Sequence, residues 1–356
     1  MKCKISHYFH NFAFMKKIAM ILAVLTAALS SHGQTKRMAV TEFSENYLRE
    51  KPGYAAELGT QALMGTVVEI IGEDSYWRQV VTPEPYTAWC TELGLVEMKH
   101  DRLNAYIAAP KYICTAMHSR IMSRPSANSE PVSDFSMGDL ARIVYKEGKK
   151  GASVNKGWAE VMLPSGKKGW APVKDIAVFS EWAAGRKATE SDIVNTARQL
   201  VGVPYLWGGT SAKGLDCSGL TRLVWFMNGW LLPRNASQQA MLGREIIMEA
   251  DHSVSPDSDG IRAEMTKRTL NLKPGDLIYF GTPASLLRSE SVTHVGIYIG
   301  AGRFIHASHI VRISSLIPGE EDYYENSYKL LKARRLFDWH GPGLTPILRS
   351  PAYFLQ

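Results

Sequence analysis

The sequence predicts an α+β protein: two small β-barrels in tandem, then a domain in which a helix pair precedes an antiparallel sheet. Three observations predict it. Short runs with period-two alternation, TVVEII and WRQVV among them, fill residues 55–98 and a similar layout returns over 112–178. The two stretches share a kernel, Trp77-Arg78-Gln79-Val80…Tyr86-Thr87-Ala88-Trp89 and Trp158-Ala159-Glu160-Val161…Gly169-Trp170. Its period of about 80 residues suits two small barrels rather than a solenoid. From residue 181 helical spacing takes over, and strand-like LIYF, HVGIYIG and RFIHAS follow it, which is the α+β order.

Taken in order, the chain starts with a segment unlike the rest. From Met15 it reads MKKIAMILAVLTAALSSHGQ, two lysines, an apolar run and small residues, the pattern of a secretory leader too short to span a bilayer. The expected start is Met15, with cleavage near Gly33. No cysteine follows the apolar run, so a lipid anchor is not expected. The first barrel is assigned to 34–105, with a turn at Gly72-Glu73-Asp74, and the second to 106–182. Residues 189–201 (TESDIVNTARQLV) form a helix capped by Thr189 or Ser191, with Ile193, Val194, Ala197, Leu200 and Val201 on one face. A turn, GVPYLWGGT, leads to a second helix opening at about Cys217. Residues 250–268 read as an irregular polar insertion ahead of the strands. The third domain runs over 183–340, and 341–356 is a Pro/Gly-rich tail expected to lie irregularly on the surface.

Composition and charge narrow the partners. The 356 residues are 45% hydrophobic and 21% charged, and the net charge is +7. Residues 1–33 hold four lysines and no acid, so 37 basic and 34 acidic residues remain beyond them, a balance of +3. No nucleic-acid-binding surface is indicated. Beyond the leader the cysteines are Cys90, Cys114 and Cys217, an odd number, which in an exported chain points to a free thiol. Cys90 and Cys114 sit in apolar, strand-like YTAWC and KYICTAM and read as buried free thiols, with pairing left open. No CxxC or HExxH occurs, and neither a metal nor a cofactor is expected.

The chemistry gathers at GLDCSGLTRLVWF, residues 214–226. Leu220, Leu223, Val224 and Met227 follow Cys217 at helical spacing, placing the cysteine in the first turn. There the amides and the helix dipole favour a thiolate, lowering a thiol pKa of about 8.5 by one or more units. Gly219 allows another backbone to approach. A cysteine nucleophile needs a base and a group that orients the base. His294 and His306 flank a hairpin with its turn at Gly300-Ala301-Gly302. Residues whose numbers sum to 602 then face each other, and the two histidines become diagonal neighbours on one face, about 7–8 Å apart at Cβ. Val295, Ile297, Ile299 and Ile305 make the opposite, core face, so the rings project away from core packing. His294 is the candidate general base and His306 the residue that fixes its tautomer.

Five motifs in order, PYLWGG (204–209), DCSGL (216–220), LKPGDLIYF (272–280), HVGIYIG (294–300) and FIHAS (304–308), resemble the NlpC-type papain-like cysteine peptidases of bacterial cell walls. The barrel kernel resembles bacterial SH3-like domains. The resemblance spans about 190–336 and implies nucleophile Cys217, base His294, third polar residue His306, and Tyr205 at the oxyanion site, with the Cys217 amide as a second donor. The tandem architecture resembles γ-D-glutamyl-L-diamino-acid endopeptidases of the dipeptidyl-peptidase VI type. These cut peptidoglycan stem peptides between D-Glu and the diamino acid, some requiring a free N-terminal L-Ala. In that subgroup the residues matching Asp216 and Ser218 bind the ammonium, helped by a Glu and a Tyr of the first barrel, here matched to Glu57 and Tyr86.

The interval from Cys217 to His294 is long for this pattern. The segment EADHSVSPDSDGIRAEMTKR within it reads as a loop insertion. The implied partners are muropeptides or free stem peptides, with no nucleic acid and no membrane span, and the implied site of action is the periplasm or the exterior. Two other readings keep the same residues: an amidase or acyltransferase on this fold, and a non-catalytic wall-binding adaptor.

Overall fold

A computed structural model of the chain describes residues 36–146, 151–248, 258–337 and 339–356. The leader expected over 1–33, with Met15 and Gly33, lies outside them. Among the described residues, the first barrel has seven strands: β1 (Arg37–Thr41), β2 (Glu45–Arg49), β3 (Leu58–Leu63), β4 (Val67–Asp74), β5 (Trp77–Val81), β6 (Thr87–Thr91) and β7 (Leu95–Met98). Their order is β3-β2-β6-β5-β4-β1-β7. Helix α1 (His100–Ala108) leads into the second barrel: β8 (Lys111–Cys114), β9 (His118–Met122), β10 (Pro131–Ser136), β11 (Leu140–Ile143), β12 (Val154–Asn155), β13 (Trp158–Met162), β14 (Lys168–Pro172) and β15 (Ile176–Val178).

The order there is β10-β9-β14-β13-β11-β8-β15, with β12 paired to β13. Set aside β12 and this is the first barrel's order, strand for strand. The kernel repeat extends to the pairing itself: an offset of 81 residues carries Trp77↔Thr91, Gln79↔Trp89 and Val80↔Ala88 onto Trp158↔Pro172, Glu160↔Trp170 and Val161↔Gly169. Even the left-handed residue of the preceding turn recurs, Ser75 (φ 53) and Lys156 (φ 47). Cys90 and Cys114 are buried free thiols, one in each barrel.

The third domain begins with α2 (Phe179–Ala184) and α3 (Glu190–Gln199), the latter capped by Thr189 in a reciprocal box with Asp192. The short pair β16 (Thr210–Ser211) and β17 (Gly214–Leu215) precedes α4 (Cys217–Phe226), then come β18 (Trp230–Leu231), α5 (Ala236–Gln239), β19 (Arg244–Ile246) and α6 (Ser258–Thr269). The remaining strands are β20 (Leu277–Thr282), β21 (Ser291–Gly300), β22 (Arg303–Ser308), β23 (Ile310–Ser315), β24 (Leu330–Arg335) and β25 (Thr345–Pro346). The main sheet is β19-β24-β20-β21-β22-β23. The apolar stripe of α4, Leu220, Leu223 and Val224, packs on Val295, Ile297 and Ile305 of this sheet. No helix of the described residues is long and apolar enough to cross a membrane.

Four expectations are corrected. The turn expected at Gly72-Glu73-Asp74 lies at Ser75-Tyr76, because β4 runs on to Asp74, which pairs with Trp77. Residues 258–269 are helical rather than irregular, and Met265 of α6 is buried in a second apolar cluster with Ile278, Phe280, Tyr298 and Phe304. The histidine face of the hairpin is therefore covered too, not turned away from core packing. The tail is also built in: β25 pairs with β18, Ile347 is fully buried, and Tyr353 packs its ring on Phe179 and Phe226. Burying one such side chain contributes about 1.5–3 kcal/mol, which outweighs the segment's Pro/Gly content.

All three domains meet. Asp139, fully buried in the second barrel, accepts from Ser44 Oγ (2.6 Å) and the Met64 amide (2.9 Å) of the first. Lys213 of the third domain reaches Glu45 (2.6 Å) and Asp134 (2.8 Å), one from each barrel.

Candidate active site

Asp216 caps α4, its Oδ1 accepting from the Gly219 amide at 2.7 Å, so the helix starts at Cys217. Gly219 and Gly209 are the close approach that the sequence implied: a Cβ at Gly219 would collide with the Gly209 carbonyl. A Cβ at Gly208 (φ +78) would likewise collide with the Leu58 carbonyl of the first barrel. PYLWGG is thus pinned between the helix and the barrel. Ser218, Gly219 and Leu220 are buried, whereas Cys217 keeps partial solvent access.

Opposite lies the hairpin. Its register pairs Ile297 with Ile305 and Tyr298 with Phe304, the pairing expected from a sum of 602. His294 Nε2 stands 2.8 Å from His306 Nδ1, and His306 Nε2 stands 3.0 Å from Ser314 Oγ. Ser314 is the diagonal neighbour on β23, since His306 pairs with Arg312. His306 is fully buried and Ser314 is 1% exposed. The Cys217 sulfur lies against the amides of Ser218 and Val295, the latter adjoining His294 in β21. The His294 Nδ1 is therefore not the nitrogen that meets His306.

Burial dominates the electrostatics. Phe280 packs 5.7 Å from the His294 ring, and Phe304 and Tyr324 pack 4.5 and 4.9 Å from His306. Desolvation pushes His294 down to about 4, and desolvation with the neighbouring His294 pushes His306 down to about 2. The Cys217 thiol is not lowered as the helix start suggested. Burial and then the Asp216 carboxylate push it up to about 11, against the two amides. Burial is the larger cause, and the cap adds to it, since an anion at the N-cap offsets the positive end of the helix. At rest the site therefore holds a neutral thiol beside a neutral imidazole.

Tyr205 faces the same space. Burial, Cys217 and Asp216 raise its hydroxyl to about 12, so it stays a proton donor. Asp216 and Ser218 sit beside Cys217 but are already engaged. The Arg234 guanidinium pairs with both Asp216 oxygens and donates to Ser218 Oγ (2.8 Å) and the Gly59 carbonyl (3.0 Å). These two side chains are 4% and 9% exposed, and breaking so buried a pair costs about 3–5 kcal/mol. In the first barrel Tyr86 donates to Glu50, not to Glu57; Glu57 accepts from Trp207 Nε1 at 2.6 Å. Arg234, Glu50, Ser314 and Tyr324 were missed in the sequence. No spacing rule marks the first two, while Ser314 follows from the strand register once β23 is recognised. No group of metal-ligating side chains occurs among the described residues.

The model of the NlpC/P60 family matches residues 202–332, spanning the cysteine, both histidines and Ser314, and that of the bacterial SH3 domain matches 44–94. The chain carries an NlpC/P60 cysteine-peptidase domain behind a bacterial SH3 domain. Its curated relatives include two γ-D-glutamyl-L-lysine dipeptidyl-peptidases. The one from Bacillus cereus is 26% identical over 77% of this chain and 74% of its own length. The one from Bacillus subtilis is 25% identical over 78% and 81%. Among solved structures, an NlpC/P60 family protein from Bacillus cereus aligns with a TM-score of 0.65 at 22% identity, covering 84% of this chain and 99% of that one, which shows the shared fold. The family match and these relatives indicate cysteine-peptidase activity.

Proposed function

We propose that the chain hydrolyses the γ-D-Glu–L-diamino-acid amide of stem peptides through an acyl-enzyme on Cys217. The reading rests on one arrangement, a helix-start thiol beside the line His294–His306–Ser314, within a domain whose relatives are named γ-D-glutamyl-L-lysine dipeptidyl-peptidases. His294 Nδ1 takes the thiol proton as sulfur attacks the carbonyl carbon. Tyr205 and the Cys217 amide receive the developing oxyanion. The imidazolium then protonates the leaving amine, and the neutral ring activates water for deacylation. His306, neutral and buried, accepts the His294 Nε2–H and so keeps Nδ1 bare.

A free N-terminal amine on the substrate is supported by charge. Glu50 and Glu57 of the first barrel and Asp216 surround the Tyr86–Arg234 corner, three carboxylates against one guanidinium. An ammonium there gains charge-assisted hydrogen bonds that a blocked substrate lacks. Glu50, bonded to Tyr86, takes the role first matched to Glu57, and Asp216 contributes while held by Arg234. Action outside the cytoplasm follows from the leader-like N-terminal segment and the wall substrate. Mass spectrometry of products from L-Ala-γ-D-Glu-L-Lys tests the reading. Cys217→Ala abolishes dipeptide release, and N-acetylation of the substrate slows the wild type strongly. Cleavage at another bond, or residual activity within a few-fold, overturns it.

A further inference from the structure

Two tyrosine hydroxyls lie within electrostatic reach of Cys217, those of Tyr205 and Tyr324. Tyr324 belongs to the β23–β24 connection, which folds back along the end of β23. Ser315 donates its amide to the Asp322 carbonyl and accepts from the Tyr324 amide, both at 2.8 Å. An ion pair from Arg303 to Asp322 holds the same loop. So anchored, the Tyr324 ring lies 5.9 Å from that of His294, tilted by 33°, and 4.9 Å edge-on from that of His306. The residue is half-buried. Burial, with Cys217, holds its hydroxyl above the usual phenol range, against a hydrogen bond from the Asn326 side chain and the charge of Arg312. At neutral pH that hydroxyl is a proton donor.

Arg312 pairs with His306 across β22 and β23, so its side chain leaves the sheet on the histidine face, the two Cβ atoms about 5 Å apart. It is exposed, and its charge reaches both His306 and Tyr324. Three other arginines of this sheet are matched: Arg303 with Asp322, Arg334 with Glu245 and Arg335 with Asp276. Among the described residues no acid pairs with Arg312. The two hydroxyls thus stand in different fields. Near Tyr205 lie Asp216 and Arg234, with Glu50 and Glu57 close to the same guanidinium around Tyr86. Near Tyr324 lies Arg312, a cation without an acid.

We propose that Arg312, Tyr324 and Asn326 form a subsite for a carboxylate of the leaving diamino acid. The assignment rests on the peptidase reading, which puts the leaving amine at His294. That nitrogen is about 2.5 Å from the carbon of the α-carboxylate by backbone geometry. A carboxylate at the end of a diaminopimelate side chain lies a few bonds further along the same residue. Tyr324 borders His294, so either group comes within reach of its hydroxyl and of Arg312. A guanidinium with a phenol and an amide donor satisfies a carboxylate through charge-assisted hydrogen bonds. The ammonium of the substrate then sits among acids on one side of Cys217 and its carboxylate beside a cation on the other, which fixes the direction of the peptide.

The test is competition among L-Ala-γ-D-Glu-L-Lys, its C-terminal amide, and L-Ala-γ-D-Glu-meso-diaminopimelate, with products weighed by mass spectrometry. The full chain is expected to prefer one carboxylate by about tenfold or more in kcat/KM. Acid over amide marks the α-carboxylate as the bound group, and diaminopimelate over lysine marks the side-chain one. Arg312→Gln brings that ratio close to one, and Arg312→Lys, which keeps the charge, retains most of it. Tyr324→Phe keeps the ring over the histidines and lowers the ratio several-fold. Cleavage at another bond overturns the peptidase reading and this subsite with it. Cleavage of the γ-D-Glu amide at equal rates in all three peptides, or a ratio unchanged in Arg312→Gln, overturns the subsite alone.

Discussion

Replacing Ser314 by alanine probes the line of side chains behind the base. For His294 Nδ1 to accept the thiol proton, its own proton must sit on Nε2 and be donated to His306 Nδ1. His306 must then carry its proton on Nε2, 3.0 Å from Ser314 Oγ. In Ser314→Ala that N–H is left without an acceptor in a fully buried place, at a cost of about 1–3 kcal/mol. The other tautomer of His306 escapes the cost, but its Nδ1–H then points at His294 and moves the His294 proton to Nδ1, where a base is needed. The expected loss in kcat is about 5- to 150-fold. Steady-state hydrolysis of L-Ala-γ-D-Glu-L-Lys measures it, and 15N NMR of the imidazoles reads the tautomer directly. Ser314→Thr keeps the oxygen and rescues. A folded Ser314→Ala with wild-type kcat and an unchanged His306 tautomer would refute the reasoning.

Three further outcomes are expected. His294 lies down at about 4 and Cys217 up at about 11, so kcat/KM stays flat through neutral pH, and the base is lost only as acid protonates His294 near pH 4; an acid limb at the ordinary histidine pKa of about 6.5 contradicts this. Glu50→Gln lowers the preference for a free over an acetylated N-terminus by about tenfold, whereas Glu57→Gln, whose amide oxygen still accepts from Trp207, changes it little; competition between the two substrates reports the ratio. Gly219→Ala drives a methyl into the Gly209 carbonyl and destabilises by about 1–3 kcal/mol. Calorimetry then records a Tm lower by roughly 2–12 °C, and an unchanged Tm argues against the close approach.

Local signals were legible in the sequence. The start of α4, the cap at Thr189, the barrel kernel and the hairpin register depend on residues near one another in the chain, and each follows from spacing and turn chemistry. Arg234 was not legible, because its partners Asp216, Ser218 and Gly59 come from two domains and only packing joins them. The same is true of Glu50 and Glu57: both are loop-side acids of the first barrel, and only the folded chain decides which meets Tyr86. The thiol was misjudged because its burial shows only in the folded chain and because its helix was treated apart from its own acidic cap. The tail was misjudged because composition says nothing of an unfilled place beside Phe179 and Phe226, which Tyr353 occupies.

Part of the proposed substrate site belongs to another module. Glu50, Glu57 and Tyr86 come from the first barrel, so on the proposed reading the reactive half of the molecule shares its ruler with that barrel. Altering that barrel would change how long a peptide is accepted while leaving the bond-breaking parts untouched, and substrate length can drift in evolution independently of chemistry.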